Sequence, residues 1–215
     1  MYLKYSPCNR ICLGDCTKLL YLDMSTNLIA ILPPSFSRLN QLEYCNFENN
    51  SVVAHKNTFN TCGALKYLNL RKNHYDRVYA DIGKAINLTF LDFSVNHIES
   101  IPLEMGLLVE LQELNLSRNR LTTLPPELGS CVKLQKLELP YNEVVGKFAD
   151  KFSIRMLIFV IGMLPETIGL IHSLVYLDIS FNQVDKLPRS VIGLMNVSFV
   201  GLYFVTVAYV ADIVG

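Results

Sequence analysis

The chain has 215 residues, of which 51% are hydrophobic and 18% are charged, and this composition excludes an intrinsically disordered chain. Basic and acidic residues both number 19, so the formal net charge is zero. Because phosphate binding needs a basic excess or stripe, we do not expect a nucleic-acid partner. The first ten residues contain no apolar run of signal-peptide length.

A 23-residue unit repeats along most of the chain. After a half unit at residues 13–19, each unit begins with leucine and follows the pattern L-x-x-L-x-L-x-x-N-x-L, which is typical of leucine-rich repeats. We therefore predict an α/β leucine-rich-repeat solenoid, with a curved parallel sheet on its concave side and short helical or irregular segments on its convex side. The six consecutive units start at Leu19, Leu42, Leu65, Leu88, Leu111 and Leu134.

Within each unit the second and third leucines alternate as in a strand, so they are predicted to point into the core. The asparagine stands where the chain leaves the strand, and its amide can bond backbone groups that the sheet leaves without partners. We therefore predict a structural asparagine ladder. Its members are Asn27, Asn50, Asn73, Asn96, Asn119, Asn142 and Asn182.

The six cysteines are better explained by packing than by disulfides. Cys16, Cys62 and Cys131 hold the same position in three units, and Cys45 holds a strand-core position. Small thiols are ordinary core residues. We therefore expect reduced cysteines and a cytoplasmic protein.

The period breaks once. The unit after Leu134 starts at Leu174, 40 residues on, so about 17 extra residues lie within 146–163. One interpretation is a genuine loop, which solenoids accept between repeats. The alternative is that the segment is translated intron, because it ends in a run of large apolar residues that a genuine surface loop would have to bury.

One regular unit follows, at 174–196, and an eighth strand opens after it. The solenoid is thus predicted to span residues 10–202 with seven to eight repeats, and 203–215 form an apolar, uncapped tail. Counted from Val191 to Ala211 the apolar run is long enough for a membrane span. Because repeat core accounts for most of its first half, we expect a truncated C-terminus rather than a membrane anchor.

No nucleophile elbow, phosphate-binding glycine loop or metal-ligand cluster occurs, so we expect no enzymatic activity, cofactor or metal. His74 and His97 share a column but lack a third ligand.

The remaining candidate site is the concave face. One outward column there reads Tyr21, Tyr44, Tyr67, Phe90, Glu113, Lys136, Tyr176 and Phe199.

Four successive aromatic residues in that column have two compatible explanations. Tyrosine is favoured at binding surfaces, and aromatic residues also suit strands, where they stack on one another. We predict a partner-binding patch in which aromatic anchors are flanked by guanidinium groups. Its residues are Tyr44, Tyr67, Arg71, Phe90, Arg118 and Arg120.

The units carry Leu-Pro-x-x-hydrophobic-Gly segments, for example at 124–129 and 164–169. In this they resemble the Ras-associated group of intracellular leucine-rich-repeat proteins, which includes Ras suppressor, Scribble and Erbin. The resemblance covers about residues 10–145 and 164–202. It implies a cytoplasmic adaptor that holds protein partners in small-GTPase or polarity signalling.

Our first hypothesis is therefore a non-enzymatic adaptor or scaffold for signal transduction that binds a protein on its concave sheet. A second is an ectodomain fragment of a membrane-anchored receptor, which a signal peptide or cysteine caps would favour. A third is the recognition domain of a larger enzyme, such as a ubiquitin ligase or a kinase, that a full-length transcript would reveal.

Overall fold

The computed structural model describes residues 2–4, 13–142, 164–182, 184 and 187–202. The predicted insertion at 146–163 and the tail at 203–215 lie outside these ranges.

Within the described ranges, nine strands of three residues each form one parallel sheet in chain order. Successive strands pair at the 23-residue repeat, and Lys136 pairs with Tyr176 across the 40-residue interval, so the register resumes as predicted. This sheet and the short helices confirm the predicted α/β solenoid. The strands are β1 (Tyr2–Lys4), β2 (Tyr21–Asp23), β3 (Tyr44–Asn46), β4 (Tyr67–Asn69), β5 (Phe90–Asp92), β6 (Glu113–Asn115), β7 (Lys136–Glu138), β8 (Tyr176–Asp178) and β9 (Phe199–Gly201).

The repeat pattern does not predict strand β1. It lies ahead of the predicted start of the solenoid at residue 10, and Tyr2 pairs with Tyr21 only 19 residues later. The half unit at 13–19 therefore connects two strands of the sheet.

The side of the solenoid opposite the sheet, which we call the helical side, carries short 3-10 helices. Most follow a proline in extended conformation, as at Pro125 (φ −68°, ψ 140°), because proline presets φ and lacks an N–H that would need a partner. Residues 57–61, which follow His55-Lys56 instead of Leu-Pro, form turns. The described helices are Leu13–Asp15, Pro34–Arg38, Ala80–Lys84, Leu103–Leu107, Pro126–Ser130, Glu166–Leu170 and Arg189–Gly193.

A glycine column lets these helices stack closely. A Cβ added at Gly106 would lie 2.3 Å from the Glu127 carbonyl oxygen of the next helix, and one at Gly129 would lie 2.5 Å from that of Thr167. Any larger residue would force neighbouring repeats apart. At the equivalent positions Ser37 lies in the helix Pro34–Arg38, and Asn60 lies in the repeat that has turns instead of a 3-10 helix.

The core runs the length of the solenoid between the sheet and the helices. Inward strand residues such as Leu68, Leu91 and Leu114 are at most 1% exposed. Cys45, Cys62 and Cys131 are buried among them, and the four described cysteines are all free. Burial raises the pKa of the Cys62 and Cys131 thiols to about 12, so both remain protonated and unreactive at neutral pH.

The asparagines of the ladder join adjacent repeats. The Nδ2 of Asn96 donates to the carbonyl oxygens of Leu70 and Phe93, at 3.0 and 2.9 Å, and its Oδ1 accepts from the Tyr75 N–H at 3.0 Å. Equivalent bonds are made by Asn50, Asn73 and Asn119. The column thus satisfies backbone groups at the turns that follow the strands.

Candidate functional site: the outward face of the sheet

The outward side chains of the strands form the candidate site, which we call the sheet face. Its first column places four rings in one stack. Their centroids are 4.1 Å apart for Tyr21 and Tyr44, and 4.4 Å apart both for Tyr44 and Tyr67 and for Tyr67 and Phe90, with interplanar angles of 7° or less. We call these four residues the aromatic ladder. It brings together three of the six predicted binding residues.

Stacking decides what the aromatic ladder presents to a partner. The rings of Tyr44 and Tyr67 have both faces covered by neighbouring rings, so they present their edges instead. Burial raises the pKa of the Tyr44 and Tyr67 hydroxyls, and a hydrogen bond with Tyr21 raises that of Tyr44 further. These hydroxyls therefore stay protonated, and the ladder suits apolar side chains and hydrogen-bonding groups.

The next outward column has a structural role, and its residues are buried or half-buried. At the end of six strands an Asp or Asn Oδ1 accepts the backbone N–H two residues on, for example from Ser94 to Asp92 at 2.6 Å and from Arg71 to Asn69 at 3.0 Å. These bonds form Asx turns. The six residues are Asp23, Asn46, Asn69, Asp92, Asn115 and Asp178.

Glu138 is the exception, and the sequence explains it. The residue two positions on is Pro140, which has no N–H to offer. The Glu138 Oε2 instead accepts from the Asn115 Nδ2 at 3.1 Å and lies 3.0 Å from the Lys136 Nζ. Sequence inspection finds an acidic or amide column here, but the turn role becomes visible only from the geometry.

The three predicted arginines do not surround the aromatic ladder as one patch. The Arg71 Nε lies 3.5 Å from the Glu48 Oε1, and its guanidinium also donates to the Ser94 hydroxyl at 3.0 Å. Arg118 and Arg120 lie after the strand, and both are exposed. The Arg118 Cζ sits 4.8 Å from the centroid of the Tyr141 ring.

A second aromatic pair was not predicted from the sequence. The rings of Tyr141 and Phe181 stack at 4.1 Å, although 40 residues separate them along the chain. Both follow a strand, and both have positive φ, at 58° and 56°. Each of the two residues immediately precedes a member of the asparagine ladder, and this shared position in the repeat could have predicted the pair from the sequence.

The two histidines of one column do meet in the structure. The rings of His74 and His97 stack at 5.8 Å, and both side chains are exposed. Among the described residues no group of three His, Cys, Asp or Glu side chains could hold a metal ion. None of the described helices has the length and apolar character that a membrane crossing requires.

Comparison with known proteins agrees with this architecture. Residues 86–144 match the family model described as Leucine rich repeat. No curated protein matches the chain.

Three solved structures share the fold. A leucine-rich-repeat protein of Leptospira interrogans is 21% identical (TM-score 0.57), with 88% of this chain and 62% of that one covered. A TDR receptor is 26% identical (TM-score 0.74; 89% and 31% covered). The plant peptide hormone receptor RGFR1 in complex with RGF2 is 23% identical (TM-score 0.64; 88% and 33% covered).

The chain thus spans between about a third and three fifths of the length of these structures. Solenoids of this kind present extended binding surfaces and typically serve as protein-interaction modules. The chain therefore has the solenoid fold of leucine-rich-repeat proteins, and residues 86–144 match the model of that family.

Proposed function

We propose that this protein is a non-enzymatic adaptor that binds a protein partner on the sheet face. The observation that carries the proposal is the aromatic ladder. Four large rings lie side by side on an outward face, where ordinary solubility would favour polar residues. Tyrosine is enriched at binding hot spots, because it buries a large area at little conformational cost.

The core cysteines support an intracellular, cytoplasmic location. Cys45, Cys62 and Cys131 are buried free thiols whose pKa is raised by burial, and such thiols persist where the compartment is reducing. The Leu-Pro-x-x-hydrophobic-Gly units resemble the Ras-associated group. That resemblance extends the proposal to signal transduction, with a component of a small-GTPase pathway as partner.

Affinity capture with matched variants tests the proposal. The sheet variant carries Tyr44→Ala, Tyr67→Ala and Phe90→Ala. The control carries Ile86→Ala, Leu103→Ala and Leu107→Ala, which remove three apolar side chains that are 53–58% exposed on the helical side. Quantitative mass spectrometry compares the proteins recovered with each from a lysate of the source cells.

We expect a partner that the wild-type protein and the control recover and the sheet variant loses. The recovered protein is then purified, and its dissociation constant for each variant is measured. Equal binding to all three proteins, or equal loss from both variants, would show that the sheet face is not the binding surface.

A receptor ectodomain is the second candidate, because two of the similar structures are receptors and one of these is in complex with RGF2. The compartment separates the two candidates. Epitope-tagged protein that is found in the cytosol with free thiols favours the adaptor, and protein exposed at the cell surface favours the ectodomain.

A further inference from the structure

The sheet face is acidic although the whole chain is neutral. The charges concerned lie at the first and third residues of strands β2–β8, which point outward, and at the residue two positions after each strand. These positions hold six carboxylates and two cations, so their net charge is −4 (six minus two). The carboxylates are Asp23, Glu48, Asp92, Glu113, Glu138 and Asp178, and the cations are Arg71 and Lys136.

Both cations are already paired on this face. Arg71 lies beside Glu48 and Lys136 beside Glu138, at 3.5 and 3.0 Å. Arg118, on the rim, is held over the Tyr141 ring. The excess of negative charge is thus concentrated on the strands themselves.

The negative charge of the sheet face lies next to the aromatic ladder at the end of the ladder. The ladder ends at Phe90, and the next strand places Glu113 directly opposite it. A shallow depression opens at this junction and contains three carboxylates but one ammonium group. It is lined by Phe90, Asp92, Glu113, Asn115, Lys136 and Glu138.

The Phe90 ring differs from those inside the ladder. Tyr44 and Tyr67 each have an aromatic neighbour on both sides, whereas Phe90 stacks on Tyr67 alone. Its second face is turned towards Glu113, the residue opposite it on β6, and not towards another ring. An organic cation over an aromatic face gains electrostatic energy, and it gains more where carboxylates flank the ring.

Asp92 adds a second reason to place a cation here. Its side chain is buried, and burial raises its pKa although the hydrogen bonds from Ser94 and the positive charge of Arg71 act in the opposite direction. A carboxylate that burial destabilises gains from a positive charge brought next to it. A metal ion fits less well, because no group of three His, Cys, Asp or Glu side chains within the described ranges could hold one.

We propose that this depression binds a lysine or arginine side chain from a basic segment of the protein partner. The inference rests on the proposed function, since it names the chemistry of a partner for the same face. The cation lies over the second face of Phe90, between Asp92 and Glu113. Apolar side chains of the partner then run along the ring edges of the aromatic ladder.

Selection from a random peptide library displayed on phage tests the inference without knowledge of the natural partner. The charge variant carries Asp92→Asn and Glu113→Gln. Asp92→Asn should leave the fold intact, because Asn46, Asn69 and Asn115 make the same turn in neighbouring repeats. The control carries Glu104→Gln and Glu127→Gln, which remove two charges from the helical side.

We expect the peptides selected on the wild-type protein to share an arginine or lysine. The charge variant should bind them about tenfold more weakly by fluorescence anisotropy, and the control should bind them unchanged. Replacing the shared basic residue by glutamine should weaken binding to the wild-type protein and have little further effect on the charge variant. Affinity should fall as ionic strength rises.

A separate ladder variant, Tyr44→Ala with Tyr67→Ala, distinguishes the two proposals. If the selected peptides lack a basic residue, or bind the charge variant as tightly as the wild-type protein, the inference is overturned. The proposed function survives that result if the ladder variant loses the peptides. If the ladder variant also binds them normally, or if no peptide is enriched, neither proposal stands.

Discussion

The sheet face and the helical side of the same solenoid obey different constraints. The outward column on the sheet holds Tyr, Phe, Glu and Lys in consecutive repeats, with identical strand pairing throughout. The column on the helical side holds glycine wherever the next 3-10 helix stacks closely. Outward side chains on the sheet meet solvent and one another, whereas a Cβ in the glycine column meets the backbone of the next repeat. The sheet face can therefore accept side chains of different size and charge without a change in how the repeats pack.

The largest loss of stability is expected from a substitution in the glycine column of the helical side. Gly106→Ala places a Cβ 2.3 Å from the Glu127 carbonyl oxygen, and repeats must separate to admit it. We expect the free energy of unfolding to fall by about 3 kcal/mol, measured by urea denaturation.

Gly63→Ala provides the matched control. Its added Cβ would lie 3.8 Å from the Lys84 carbonyl oxygen, an ordinary contact. Equal destabilisation by both substitutions would show that close helix stacking is not what requires glycine.

The asparagine ladder lies between the two sides and is the next most sensitive feature. Asn96→Ala removes a buried amide that bonds Leu70, Phe93 and Tyr75. We expect a loss of about 2 kcal/mol, because the backbone groups left behind are buried and unsatisfied. Asn40→Ala, at an exposed asparagine, should change stability little. Similar values for the two would contradict a structural role for the ladder.

Substitutions on the sheet face should affect stability less. Phe90→Ala removes a ring that stacks on Tyr67, which is about 1 kcal/mol of aromatic pairing. Thermal unfolding should shift by a few degrees at most, while binding of a sheet-face ligand falls strongly. A collapse of stability comparable to that of Gly106→Ala would mean that the aromatic ladder is primarily structural.

One position at the edge of the sheet face should gain stability. Val95 has φ 58°, a left-handed conformation that a β-branched residue adopts only with strain, and Asn49 holds the same place at φ 56°. Val95→Asn should raise the free energy of unfolding by about 1 kcal/mol in urea denaturation. A loss instead would show that packing of the valine side chain outweighs the backbone strain.

The smallest effect concerns Asp92 and depends on pH. Burial raises the pKa of Asp92 in the folded state, so the ionised carboxylate disfavours folding. The contribution of Asp92 to stability is therefore complete below its unfolded pKa, and it is lost as the pH rises through its folded pKa. Asp92→Asn should therefore make the protein slightly more stable at neutral pH. The gain should shrink as pH falls below the usual aspartate range. Denaturation at several pH values measures it, and a gain that grows towards acid pH would contradict the assignment.

Most of the fold could be predicted because each repeat carries its own periodic signal. The leucines, the asparagines and the interval from Leu134 to Leu174 predicted the parallel sheet and its register, including the pairing of Lys136 with Tyr176. Strand β1 was missed because its spacing to β2 is shorter than the repeat. The binding residues stay a prediction, since the structure places Tyr44, Tyr67 and Phe90 in one stack but shows no partner.

The sequence by itself determined the repeat, the direction of each strand residue and the positions that require leucine or asparagine, because these follow from local periodicity. Only the tertiary structure decided how side chains of different repeats meet. It stacks Tyr21 through Phe90 so that the inner rings, Tyr44 and Tyr67, present edges rather than faces. It also pairs Arg71 with Glu48 and brings Tyr141 against Phe181 across 40 residues. Such contacts depend on distances between repeats, which local periodicity along the chain does not encode.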